Sequence, residues 1–370
     1  MLIKKKEIAL LLIFLSLVVT NLFAENYYFK RYDKENGLSQ QTVFCAVQDR
    51  RGFLWFGTKV GLNRFDGTKF KNYVADPEQP NSLPNNTVLA LAEAPDGSLW
   101  LGTSDGLCIY NPEKDTFAPF VSADLTIEGL IDNLVFDKQG NLWVINSKGI
   151  YCLDVKNGNH KFFSASDFFV PTGITVTQSG SVWVLGLDGN IYLFNPQRME
   201  FSFYPILTKE EKTKHILLYR ILECSNGDLV VTTDRIGARR FSPNNGEVKV
   251  LFSNDSQNNP IYIHTAIQRN KDEFWFGTES GIHIYQLDLG FIDHLQKSYN
   301  DAYSLSDNAV HMLLKDREEG IWVGTFFGGV NYLSNNNTLF DKYLPKDEKG
   351  SIKANVIREI HPDVEGNLWV

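Results

Sequence analysis

The chain has 370 residues, 43% of them hydrophobic and 13% aromatic, which is enough to bury a large core and is the wrong composition for a disordered segment. Its formal net charge is −8. No basic run relieves that balance, so the surface repels phosphate backbones and nucleic acid is excluded as an expected partner.

Residues 1–24 read as an export signal. Lys4, Lys5 and Lys6 form a positive start, Ile8 to Val19 an apolar run too short to span a bilayer comfortably, and Ala24 a small residue at the expected cut. An uncleaved anchor is the rival reading. Removal of this segment leaves 33 basic and 43 acidic side chains, a net charge of −10. The body of the protein is therefore expected outside the cytoplasm.

From residue 51 onward one pattern recurs. Arg51-Gly52-Phe53-Leu54-Trp55-Phe56-Gly57-Thr58 is followed by Asp96-Gly97-Ser98-Leu99-Trp100-Leu101-Gly102-Thr103, and related segments centre on Trp143, Trp183, Val230, Trp275, Trp322 and Trp369. The intervals are 45, 43, 40, 47, 45, 47 and 47 residues, and all seven tryptophans of the chain fall on this one position. Each unit holds four short apolar runs separated by Asp-Gly, Asn-Gly or similar turns, which are hairpin signals. Four antiparallel strands in 40–50 residues form a propeller blade. The Trp strand is apolar at consecutive positions, as expected for a strand covered on both faces, so the tryptophans are core residues.

The predicted fold is all-β: a seven-bladed β-propeller of four-stranded antiparallel blades over residues 25–335. The start of a second propeller follows over 336–370. Tyr28 to Tyr32 resembles the fourth strands of the units and is expected to complete blade seven, closing the ring. Phe340 to Tyr343 would play the same part in a second ring, whose first unit begins at Ala354 and reaches only its Trp strand at Val370. That ending predicts a fragment of a longer protein.

Cys45, Cys108, Cys152 and Cys224 lie in apolar runs of different blades, which predicts buried free thiols rather than disulfides. No hydrolase, nucleotide-binding or metalloprotease motif occurs. The seven histidines show no ligand spacing and read as surface or strand residues, so no catalytic residue, metal or cofactor is predicted. Asp49, Asp96, Asp137 and Asp316 are assigned to turn chemistry.

Loop length points to a binding face. Connections from first to second strands are short, whereas several from fourth to next first strands are long: 75–86, 205–215, 253–260, 296–308 and 345–353. Alternating connections of an antiparallel blade fall on opposite faces, so the long loops share a face with the second-to-third turns. Those turns carry Lys59, Asp105, Lys148, Asp188, Arg235 and Phe326-Phe327. Arg235, Arg239 and Arg240 form a dense cationic cluster, suited to an acidic sugar or a partner carboxylate, or to local salt bridges. Phe326 and Phe327 suit stacking on a sugar ring or plugging an interface between propellers. The candidate binding residues are therefore Arg235, Arg239, Arg240, Phe326, Phe327, Lys59 and Lys148.

The eight copies of Gly-x-Leu-Trp-x-Gly-Thr…Gly-Leu resemble the two-component regulator propeller repeat. With the signal segment, the Tyr-Phe-x-x-Tyr strand and Asn36-Gly37-Leu38-Ser39, the chain resembles the N-terminal sensor region of hybrid two-component systems of gut Bacteroidetes. Blade five departs from the pattern, with Val230 for Trp and an altered stretch from Asp234 to Gly237. The resemblance implies a periplasmic oligosaccharide sensor, homodimeric and anchored in the inner membrane. It also implies a second propeller, an immunoglobulin-like domain, a transmembrane helix, a histidine kinase, a receiver and a DNA-binding domain downstream. A propeller-scaffold polysaccharide lyase or glycosidase, or a non-catalytic interaction scaffold, is the alternative.

Overall fold

The computed structural model describes residues 27–122, 125–335, 345, 351–354 and 356–370. The predicted export signal and the predicted strand Phe340 to Tyr343 lie outside them. Among the described residues seven four-stranded antiparallel sheets form a propeller. The first strands touch in sequence order and the seventh touches the first, so the ring is closed.

Closure takes the predicted route. Lys30–Tyr32 pairs antiparallel with Val330–Leu333 and supplies the outer strand of blade seven. Phe29 is 2% exposed in a core cluster with Trp275 and Ile321, and Arg31 donates to the carbonyls of Ser304 and Leu305. The N-terminal strand is thus held by backbone, core and side-chain bonds at once.

Each second strand is buried along its length, save the half-buried first residues Asn141 and Glu273, as the unbroken apolar runs require; Leu54–Thr58, Leu99–Thr103 and Ile321–Thr325 are buried at every position. The six ring tryptophans are 0–5% exposed, and Val230 fills the fifth place at 0%. The Gly-Thr pair after the Trp has two separate jobs. A Cβ on Gly102 would lie 2.4 Å from the Ile131 carbonyl oxygen of blade three, so only glycine lets the neighbouring inner strand approach. The hydroxyl of Thr103 donates to the Gly106 carbonyl at 2.8 Å and fixes the next turn; Thr58, Thr278 and Thr325 repeat the bond.

The first-to-second turns carry a bond that turn chemistry alone does not predict. Asp49 accepts the Arg51 and Phe53 amides on one oxygen and the Trp55 indole N–H on the other, at 2.9 Å. Asp137 and Asp316 do the same for Trp143 and Trp322, whereas Asp96 serves only its own turn through Ser98. Near the C-terminus, His361–Pro362 pairs with Leu368–Trp369, and Asp363 accepts the Trp369 indole N–H at 2.9 Å. Trp369 is 67% exposed there. All four cysteines are free, and burial pushes each thiol up to about 12.

Candidate functional site

The inner strands share an irregularity that aims side chains at the ring axis. In blades one, two, four, six and seven the ladder skips one residue, between Val43/Cys45, Val88/Ala90, Pro171/Gly173, Ile263/Thr265 and Val310/Met312. The extra residues are Phe44, Leu89, Thr172, His264 and His311, each eleven before its Trp. In blade five the skip covers Tyr219 and Arg220, and in blade three Asp132 immediately precedes the first strand. Such bulges free a side chain from the ladder and re-aim it. The residues before them are buried, whereas the bulge residues are half-buried or exposed.

A cavity of about 200 Å³ fills the axis, lined by Phe44, Leu89, Asp132, Asn133, Arg220 and His311 among others. Arg220 reaches across it: Nη1 donates to Asn133 Oδ1 and Nε to the His264 carbonyl, both at 3.2 Å, tying blade five to blades three and six. Thr172 Oγ1 is buried without a hydrogen-bond partner among the described residues.

Aromatic rings line the rim from blade five to blade seven. Tyr219 meets His264 edge-on at 5.7 Å, and His264 stacks on His311 at 4.2 Å. His311 contacts Phe326 at 5.2 Å, and Phe326 meets Phe327 at 4.7 Å. Phe327 is 69% exposed. Burial and the neighbouring His264 lower His311 to about 4, so it is neutral at physiological pH. Glu279, on the second-to-third turn of blade six, contacts both imidazoles: Oε1 is 2.5 Å from His264 Nε2 and 3.7 Å from His311 Nε2.

The long loops do share a face with the second-to-third turns. The Gly61 amide donates to Asn86, Asp234 to Leu217, and Phe326 to Ala309. Lys59 and Lys148 are exposed on this face. The three arginines are not brought to one surface. Arg235 stays on the long-loop face, bonded to Asp234 and the His215 carbonyl. Arg239 is 2% exposed and turned inward, donating to the Ile236 carbonyl and pairing with Glu211 at 2.7 Å. It thereby clamps the capped helical turn Lys209–Lys212 of the long loop between blades four and five. Arg240 pairs at 2.5 Å with Asp228, on a first-to-second turn and so on the opposite face.

Three segments, residues 37–59, 82–105 and 304–327, match the family model described as two component regulator propeller. Those three segments are similar to two-component regulator propeller repeats. A histidine kinase of Formosa agariphila is 49% identical over 53 residues, which is 14% of this chain and 4% of that protein. The extracellular domain of a protein assigned as a hybrid two-component system of B. thetaiotaomicron superposes with a TM-score of 0.72 at 25% identity, covering 93% of this chain and 46% of that one. A second such domain from the same organism gives 0.72 at 19% identity, covering 83% and 40%, a likeness of fold. The chain therefore spans less than half the length of these structures and a small fraction of the kinase. Relatives of these regulator propellers are parts of two-component signalling proteins, and among the described residues no helix is long and apolar enough to cross a membrane.

Sequence reading singled out Phe326 and Phe327 but not the rim they join. Tyr219, His264 and His311 are separated by 45 and 47 residues, one repeat each. The available signal was register: compared at the same distance before the Trp, adjacent blades carry Tyr, His and His, and Arg220 is the one charged residue a step further on.

Proposed function

We propose that this chain is the extracytoplasmic sensing propeller of a two-component signalling protein. In this reading it is exported by residues 1–24, is non-catalytic, and binds an oligosaccharide over the channel mouth on the long-loop face. The observation that carries the reading is the aromatic row Tyr219–His264–His311–Phe326–Phe327 beside Arg220, Asn133 and Asp132. Flat ring faces with a few polar groups suit a sugar, which offers one apolar and several hydroxyl-bearing surfaces. The similarity to an extracellular signalling domain over 93% of the chain supports the setting. A second propeller, continuing from the His361–Trp369 hairpin, a membrane kinase and a homodimeric full-length form belong to the same proposal. Binding signals only if the ligand favours one arrangement of the full protein over another; a tenfold preference supplies about 1.4 kcal/mol.

The test is calorimetric titration with oligosaccharides of several glycan classes against wild type, Tyr219→Ala and the Phe326→Ala/Phe327→Ala double variant. The proposal expects one class to bind and both variants to weaken it at least about tenfold. Equal affinity in all three proteins would remove the rim from the site. Binding that survives there but fails in Lys59→Ala or Lys148→Ala would move the ligand outward on the same face.

A further inference from the structure

We propose that His264, His311 and Glu279 form a binding site for a divalent first-row transition metal, with zinc the best match, at the channel rim between blades six and seven. Their ligand atoms, an imidazole nitrogen from each histidine and a carboxylate oxygen, lie within 4.8 Å of one another. Two neutral imidazoles with one carboxylate is a set that holds zinc or non-haem iron, with bonds of about 2.0–2.2 Å to zinc. Bonds of that length place neighbouring ligand atoms roughly 3.3 Å apart in a tetrahedron. The two Glu279 contacts, 2.5 and 3.7 Å, straddle that value.

Mobility and rigidity are divided as a metal site needs. The imidazoles sit on bulges of adjacent inner strands with side chains 18% and 21% exposed, whereas the Glu279 side chain is 54% exposed and free to centre itself. The rings stack 16° from parallel, and both present Nε2 to the same carboxylate oxygen, so both ligating edges point one way. Arg220 opposes a cation here, but its guanidinium is engaged by the His264 carbonyl and Asn133, and Asp307 and Glu279 act on His311 with the opposite sign. Three protein ligands leave a coordination position for water or a ligand oxygen. The inference needs only these three ligand atoms and stands whether or not an oligosaccharide binds.

The experiment uses the 370-residue chain without a histidine tag, stripped with a chelator and titrated with zinc by calorimetry, with cobalt(II) absorption as the coordination readout. The expected result is one equivalent bound, visible bands from cobalt in a low-coordinate nitrogen and oxygen site, and an affinity loss above about 100-fold in His264→Ala/His311→Ala. That loss should exceed the 10–100-fold typical of outer-shell partners. Glu279→Gln, on an exposed turn, should weaken binding with an unchanged metal-free melting curve, and it keeps the test decisive if the double variant does not fold. Unsaturated binding up to millimolar zinc, or one equivalent bound by Glu279→Gln as tightly as by wild type, would overturn the assignment and leave Glu279 as a hydrogen-bond partner only.

Discussion

On one face of the ring the same hairpin is made seven times; on the other the side chains change from blade to blade. In every blade the amide six residues before the Trp position donates to the carbonyl two before it, from Asp49 to Phe53 in blade one through Asp316 to Gly320 in blade seven. The opposite ends of the same inner strands repeat a backbone device, the bulge, and carry Phe44, Leu89, Asp132, Thr172, Tyr219, His264 and His311. The reason is mechanical. In blades one, three and seven a short-turn aspartate satisfies a tight hairpin and a buried indole together, whereas a bulge residue contributes little to the ladder and can vary without loosening it. In a repeat protein, function is best sought where the backbone repeats and the side chains do not.

The strongest way to break this contrast is to attack the uniform part. Trp100→Ala should destabilise the chain by about 3–5 kcal/mol, the range for deleting a large aromatic from a core, since Trp100 is 5% exposed and packs on Phe120 and Phe136. Denaturant unfolding gives the number, and metal or sugar binding by the folded fraction should be unchanged. An unaltered midpoint would mean that the Trp position is not what holds the blades. Asp49→Ala should come next, at about 1–3 kcal/mol, because it leaves the indole N–H of Trp55, fully buried, without an acceptor. Blade two, where Ala94 occupies the same place, is the natural control: Ala94→Gly should show no such orphaned-donor cost. If Asp49→Ala costs nothing, these aspartates serve the turn alone.

The two faces also differ in how far the sequence discloses them. The repeat spacing, the continuous apolar Trp strands and the displaced Tyr28 to Tyr32 segment disclose the ring and its closure, because each is a local pattern with one physical explanation. The rim was legible only through register, by comparing blades at the same distance before the Trp. His264 and His311 are remote in sequence and become neighbours only when consecutive blades lie side by side, and no residue type marks a bulge of this kind. Arg239 shows the converse: three clustered cations look like one patch, yet strand alternation and pairing turn Arg239 to a buried clamp and Arg240 to the other face.

Seams between blades offer a smaller test through pH. Asp115 of blade two accepts the Tyr73 and Tyr110 hydroxyls at 2.7 Å and pairs with Lys71 of blade one. Burial raises its pKa, but the hydrogen bonds from Lys71 and the two tyrosines outweigh that and hold it at about 2. The folded value lies below the unfolded one of about 3.9. The contribution is therefore complete above about pH 4 and is lost as pH falls toward 2. Urea midpoints measured down that window should fall more steeply for wild type than for Asp115→Asn. Parallel curves would show that the seam does not depend on this charge.

The smallest expected effect sharpens the comparison most. Thr172 stands at the bulge of blade four, with Oγ1 buried and unpartnered among the described residues. Removing a buried hydroxyl that has no partner relieves a desolvation cost, so Thr172→Val should melt at the wild-type temperature or slightly above it, with a gain of at most about 1 kcal/mol. On the short-turn face the comparable deletion, Asp49→Ala, orphans a buried indole N–H. A rim built to receive a ligand behaves in the opposite sense: the free protein tolerates the loss and the complex does not. If an oligosaccharide that binds the channel mouth is in hand, the same variant should bind it several-fold more weakly while remaining as stable as wild type. A clear loss of stability in the free protein would instead mean that Thr172 is structural, and the division between a fixed face and a variable one would not extend to blade four.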